Sequence, residues 1–285
     1  MEMTKRYGLD KEVKANRMFT VTVASGKGGV GKSTISLNLA IALAQRKRRV
    51  ILLDGDLGLG NINVMLGIRP EKDLANVIDG DCSIEEAIMK GPWGISILPA
   101  GSGYEDMADL GEEGRGRLLS ALRALSKYAD ALVIDSGAGI GANVLNLALA
   151  ADIILVVITP DVVSLTDAYS LVKVISRRSE GGRFEAVVNR AHTVKAGEEI
   201  TAKFRSVAKK FLNREITRLG IIPEDGNVQA ALMDRKPLLQ AFPKSPASME
   251  IRSIADLLTK EIRQIELEFH APNLDERFEK IIAKL

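Results

Sequence analysis

Short unbroken apolar runs alternate with longer stretches of helical periodicity along most of the 285 residues. The runs are Phe19–Ala24, Arg49–Asp54, Ile95–Leu98, Ala131–Asp135, Ile153–Thr159, Phe184–Asn189 and Leu219–Ile222. Several are rich in β-branched residues without a polar break, the pattern of strands buried on both faces. Strand and helix in alternation predict an α/β fold, a three-layer, doubly wound, mostly parallel sheet with helices on both sides. Ligands of such sheets bind beyond the carboxyl ends of the strands. Three runs end in chemistry at that edge: Ser25-Gly26-Lys27, Asp54-Gly55-Asp56 and Asp135-Ser136-Gly137.

The tail has a different pattern. Ile251, Ile254, Leu258, Ile262, Ile265 and Phe269 recur at helical spacing, and Pro272 breaks that helix. Asn273 then offers an N-cap with Glu276 as its capping-box partner. A last helix is expected to carry Leu274, Phe278, Ile281, Ile282 and Leu285 on one face, an amphipathic stripe. Its polar face is balanced, with Asp275, Glu276 and Glu279 against Arg277, Lys280 and Lys284. Such a stripe needs cover from either a membrane surface or a protein groove. The chain therefore divides into an extension (1–18), a nucleotide-binding domain (19–250) and a helical tail (251–285).

The run Gly26-Lys27-Gly28-Gly29-Val30-Gly31-Lys32-Ser33, followed by Thr34, lies between the first strand and the helix-like stretch Ile35–Ala44. This is a phosphate-binding loop in its proper strand–turn–helix context. Glycines let successive backbone N–H groups turn inward around an anion, and the helix N-terminus favours phosphate. Lys32 can reach the β- and γ-phosphates, and the Ser33 hydroxyl can ligate Mg²⁺. Asp54 and Asp56 form a D-x-D at the end of the second strand. Asp56 is expected to position or deprotonate an attacking water, and Asp54 to join the Mg²⁺ shell. Asp135 closes Ala131-Leu132-Val133-Ile134 as a Walker-B acid facing the metal through water. Asn189 and Arg190 follow a strand, where an amide can pair with a purine edge and a guanidinium can stack on its face. Pro223-Glu224-Asp225 could form the opposite wall.

Composition narrows the partners. A net charge of +2 argues against nucleic acid as a target, so no specific DNA binding is expected. The dense basic run Arg46–Arg49 falls where the first helix ends, a favourable place for cations. Cys82 is the single cysteine, which excludes an intrachain disulfide and a cysteine-ligated iron–sulfur cluster within one chain. Residues 1–18 are polar and unlike a secretion signal. The longest apolar candidate, Ala148–Thr159, contains Asp152 and is shorter than the roughly 18 residues a spanning helix needs. A cytoplasmic protein is expected.

Lys27 to Ser33 fits K-G-G-x-G-K-[ST]. With the D-x-D at Asp54–Asp56, Asp135, Val188-Asn189-Arg190 and Ile222-Pro223-Glu224-Asp225, the chain resembles the deviant-Walker-A ATPases of the ParA/MinD class over nearly its whole length. The resemblance implies ATP and ADP as ligands, Mg²⁺ as cofactor, slow ATP hydrolysis, and a homodimer formed face to face around two ATP molecules. It gives Lys27 the role of reaching the partner's phosphates, beside Lys32 and Asp56 as catalytic groups. Leu57-Gly58-Leu59-Gly60-Asn61-Ile62, Val64-Met65-Leu66-Gly67, Pro99-Ala100-Gly101-Ser102-Gly103, Asp135-Ser136-Gly137-Ala138-Gly139-Ile140 and Thr166-Asp167-Ala168-Tyr169 are similar to the FlhG (FleN, YlxH) group. That group implies a regulator of flagellar number and placement. Such a regulator would bind the cytoplasmic membrane through its last helix in the ATP state. It would act on a protein partner such as a flagellar GTPase, a flagellar switch protein or a transcription activator. A MinD-like division-site regulator and a ParA-like partition ATPase are the alternatives. Asn63 departs from the aspartate common in the group, and the group's N-terminal D-Q-A-x-x-L-R segment is not found in residues 1–18.

Overall fold

The computed structural model describes residues 17–56, 60–99, 101, 111–178, 183–267 and 274–282. Residues 1–16 of the expected extension, 57–59, 100, 102–103, Phe269, Pro272, Asn273 and Leu285 lie outside the described residues, as do the side chains of Ile265 and Ile282.

The chain alternates as its apolar pattern predicts. In order come β1 (Phe19–Ser25), α1 (Lys32–Ala44), β2 (Val50–Gly55), α2 (Asn61–Leu66), α3 (Leu74–Asp79), α4 (Ile84–Ala87), β3 (Met89–Lys90) and β4 (Ser96–Leu98). Then follow α5 (Glu112–Leu125), β5 (Ala131–Ala138), α6 (Ala142–Ala150), β6 (Ile153–Ile158), α7 (Val162–Arg178), β7 (Arg183–Ala191), α8 (Val194–Leu212) and β8 (Ile216–Pro223). The described chain ends with α9 (Gly226–Met233), α10 (Leu238–Ala241), α11 (Pro246–Leu267) and α12 (Leu274–Ile282). The strands form one sheet in the order β3-β4-β2-β5-β1-β6-β7-β8. All pairings are parallel except β3 with β4. The fold class is the expected one. β3 is the strand that the apolar pattern does not foresee, because two residues are too few for a period to show.

Alternate residues of the central strands face opposite layers. Val21, Val23, Leu52, Val133, Leu155 and Val187 pack with α1, α10 and α11. On the other face Ile51, Leu53, Leu132 and Ile134 pack with α3, α5 and α6, while Ile154, Val156, Ala186 and Val188 pack with α6, α7 and α8. Every residue of α1 from Ile35 to Leu43 is buried, because the helix lies between the sheet and α11. A helix apolar all round belongs in that position. α11 crosses the expected division at residue 250, and Ile251, Ile254, Leu258 and Ile262 share a core with β1 and α1.

α12 lies on α5 and α6. Leu274, Phe278 and Ile281 are buried there with Leu118, Leu122, Leu147 and Ala150. Glu276, Glu279 and Lys280 face solvent. Burying three such side chains is worth about 5–9 kcal/mol before the entropy of ordering the helix. The groove that covers this face is thus part of the same chain.

Glu185 of β7 is buried (3% exposed), and its Oε2 has no hydrogen-bond partner. Burial pushes its carboxyl from the ordinary 4.5 up to about 7; Glu261 of α11 adds to this and Arg183 opposes it. A carboxyl that holds its proton more tightly when folded destabilises the fold once ionised. That cost is fully present above the folded value and gone below the unfolded one. Glu185→Gln is therefore expected to raise the melting temperature at pH 8 by on the order of 2–4 °C. The gain should fade between about pH 7 and 4.5. Thermal melts across that range check it, and a gain undiminished at the acid end would contradict it.

Candidate functional site

The phosphate loop is fixed by what touches it. A Cβ on Gly26 would lie 2.2 Å from the backbone carbonyl of Asp167, so α7 packs directly on the loop. Gly31, at φ +96°, immediately precedes α1, and a Cβ there would lie 2.4 Å from Asn189 Nδ2. That amide donates to the Val30 carbonyl at 2.7 Å. The first turn of α1 therefore begins with its N–H groups open toward the loop, an anion site by construction.

Lys32 is buried, and its Nζ donates to Ser25 Oγ at 3.0 Å. Burial draws its pKa down, while Asp135 and Asp56 hold it up. Strand order places β2, β5 and β1 side by side, and Asp54 is the register partner of Asp135. Both carboxylates are fully buried. Asp135 accepts from Ser36 Oγ at 2.9 Å and bonds the Ser33 side chain, yet its Oδ2 has no partner within the protein. Burial raises Asp135 to about 6 despite those bonds and Lys32. An orphaned carboxylate oxygen beside a serine hydroxyl fits Mg²⁺, which binds one or two protein oxygens and takes the rest of its shell from water and phosphate. Among the described residues no three His, Cys, Asp or Glu side chains form a closed metal cage.

Asp54 has a task that its expected metal role did not include. Its Oδ2 accepts from Ile62 N–H at 3.0 Å and its Oδ1 from Asp56 N–H at 3.3 Å. It thus holds the start of α2 and the backbone of Asp56, and burial followed by Asp135 raises it to about 7. Asp56 Oδ2 accepts from Asn61 Nδ2 at 3.1 Å. Asn61 is a site residue beyond those the sequence assigns a role; an amide five positions after the acid, at the start of a helix, is the signal for it.

Lys27 lies on the outer lip of the loop. Its Nζ is 3.4 Å from Asp161 Oδ1, and both side chains are 42% exposed. Asp161 also accepts from Thr159 Oγ1 at 2.6 Å and Ser164 N–H at 2.8 Å, which hold it below the usual carboxylate range. Nothing near Lys27 in sequence marks Asp161 as its partner. The two loop lysines are thus sorted by position, Lys32 within the site and Lys27 at its rim.

A cavity of ≈ 530 Å³ opens from Gly31 and Thr34 to Asn189, Arg190, Pro223 and Glu224, with Val228 and Ile251 behind. Ala191 and Pro223 are register partners, which brings the ends of β7 and β8 together. Arg190 adopts φ +56° at this turn. His192 Nδ1 lies 2.6 Å from Glu224 Oε2 at the rim. The structure therefore gathers Gly26–Thr34, Asp54, Asp56 and Asp135 at one end and Asn189, Arg190, Pro223 and Glu224 at the other.

A phosphate loop on a parallel sheet, an orphaned acidic oxygen beside it and a cavity of nucleoside size define a P-loop nucleotide-binding protein. The family model for the CobQ/CobB/MinD/ParA nucleotide binding domain matches residues 21–238. The chain belongs to this family. It is 40% identical over 235 residues to the antiactivator FleN of Pseudomonas aeruginosa, covering 82% of this chain and 84% of that one. It is 31% identical over 274 residues to the flagellum site-determining protein YlxH of Helicobacter pylori, covering 95% and 92%. The cell division ATPase MinD of Pyrococcus furiosus superposes with a TM-score of 0.70 at 25% identity, over 85% of this chain and 99% of that one.

Gly31→Ala combines a left-handed backbone with a clash against Asn189. If the free loop escapes strain of about 1–3 kcal/mol by leaving its nucleotide-binding shape, restoring that shape on binding costs affinity on the order of tenfold or more. Titration with a fluorescent ATP analogue reads it, and unchanged affinity would show that the loop keeps the same shape with and without nucleotide.

Proposed function

We propose that the chain is an ATP-driven dimerisation switch that hydrolyses ATP to ADP and phosphate and cycles between a free form and a membrane-bound dimer. The observation that carries this reading is the position of Lys27. It sits at the rim, half-exposed, on a 3.4 Å contact with Asp161 that a stronger anion could replace. A partner's phosphate presented to this face is such an anion. Ile140, Val162 and Val163 are exposed at 50%, 77% and 58%; the two valines directly follow Asp161 in sequence, and Ile140 lies in the turn between β5 and α6. They offer apolar surface for a second copy.

The residues divide the chemistry. Lys32 and the loop N–H groups bind the phosphates. Ser33 and Asp135 would hold Mg²⁺, which, when bound, neutralises charge on the transferring phosphoryl group. Asp56, aimed by Asn61 and by Asp54, orients the attacking water and accepts its proton. Asn189, Arg190, Pro223 and Glu224 take the adenine. Asp54 acts on the metal site from behind, through the segment it holds.

α12 supplies the output. Among the described residues no helix is long and apolar enough to cross a membrane. In this reading attachment is through α12, which must leave its seat on α5 and α6. Two such helices in a dimer bind where one is too weak. The likeness to an antiactivator and to a flagellum site-determining protein supports a regulator of flagellar number or placement that acts on a protein partner.

With ATP, light scattering is expected to give dimers for the native chain, monomers for Lys27→Ala and long-lived dimers for Asp56→Ala. Lys27→Ala dimers of native stability would defeat the reading. In liposome sedimentation the native chain is expected to pellet with ATP and not with ADP, and Phe278→Glu to stay in the supernatant. Pelleting that ignores the nucleotide would separate membrane binding from the switch.

A further inference from the structure

At the opposite edge of the sheet from the nucleotide cavity, Asp152 precedes β6. Its side chain is 4% exposed. Its Oδ2 accepts from the backbone N–H of Thr20 at 2.8 Å. Its Oδ1 accepts from two guanidinium groups: Arg17, which leads into β1, and Arg277, which lies on α12 at 2.5 Å. Each arginine side chain is 16% exposed. The backbone of Asp152 is fixed as well, by bonds from its N–H to the Thr20 carbonyl and from Arg183 N–H to its own carbonyl. Arg277 also donates to the Ala150 carbonyl at the end of α6, at 3.3 Å. The acid is thus immobile, and the two arginines that neutralise it come from the two ends of the chain.

We infer that Arg17 and Arg277 bind Asp152 anticooperatively, so that Arg17 sets how readily α12 leaves the domain. Two cations share one acceptor oxygen, so each weakens the other's hold. A buried carboxylate stripped of its last cation is strongly unfavourable, whereas one that loses the second of two cations is much less so. While Arg17 is engaged, α12 can depart without stranding a buried charge. When Arg17 is removed, Arg277 becomes the one side-chain cation bonded to Asp152 among the described residues, and α12 is locked down. By linkage, holding α12 away tightens Arg17 on Asp152 by the same factor. The coupling rests on this geometry alone and does not require that α12 bind a membrane.

Hydrogen exchange of the amides in residues 274–282 tests it, on the full chain without nucleotide or lipid. Arg277→Gln is expected to speed exchange there, and Arg17→Gln to slow it, each by roughly tenfold. In an Asp152→Asn background the Arg17→Gln effect should vanish. Should that background not fold, the Arg277→Gln background serves instead, and Arg17→Gln must again leave α12 exchange unchanged. Unchanged or faster exchange in Arg17→Gln alone overturns the inference, as does slowing that persists in either background. Because no lipid is present, failure of membrane binding and failure of this coupling are separate results.

Discussion

Two buried carboxylates side by side constrain the rest of the site. Asp54 and Asp135 face each other across the β2–β5 ladder, both out of water, and each is raised well above its ordinary pKa. Like charges so placed are unfavourable unless fixed dipoles and cations surround them. The fold meets this demand from three directions. Backbone N–H groups of Asp56 and Ile62 point at Asp54, the Ser33 and Ser36 hydroxyls point at Asp135, and Lys32 stands near Asp135 and Asp56. Asp135 Oδ2 alone is left over. The protein thus supplies a nearly complete electrostatic cage with one acceptor facing the position of a cation.

The same demand explains why the loop is so tightly boxed. Lys32 must stay buried next to the acids, so α1 must begin where it does, and the turn before it must fit between α7 and Asn189. Gly26 and Gly31 answer to those two neighbours, not to flexibility. Asn189 consequently serves the loop before any base arrives, since its amide already holds the Val30 carbonyl. A residue expected for recognition of the base is here also part of the phosphate cradle, which ties the two ends of the site together.

Much of this was legible in the sequence because its signals are local. The phosphate loop, the acids at strand ends and seven strands each occupy a few consecutive residues with a clear period. β3 was hidden by its length. Asp54's hold on α2 was hidden because a carboxylate at a strand end reads equally as ligand or as cap. The longest-range facts were invisible. Lys27 meets Asp161 across 134 positions, and Arg277 meets Asp152 across 125. No periodicity encodes such contacts; they follow from sheet order, which places β6 next to β1. The seat of α12 belongs to the same class. An apolar stripe reports that cover is needed, and only the packed α5 and α6 reveal that the chain provides it.

Sheet order also relates the two ends of the molecule. β6 runs from Asp152 at one edge to Thr159 and Asp161 at the other, so α12 and Lys27 are tied to opposite ends of a single strand. A strand buried on both faces and paired on both sides neither stretches nor slides, so β6 acts as a frame and not as a lever. α6 is different. It follows β5, whose Gly137 lies against both Asp56 and Val144, and its last turn ends at Ala150, the carbonyl that Arg277 caps. It is a short helix of nine residues in contact with β5 at the site and with α12 on its outer face. In the proposed switch, a rearrangement after β5 on nucleotide binding would have a route to the seat of α12 through α6, while Asp152, held by the frame, would set how firmly that seat is kept.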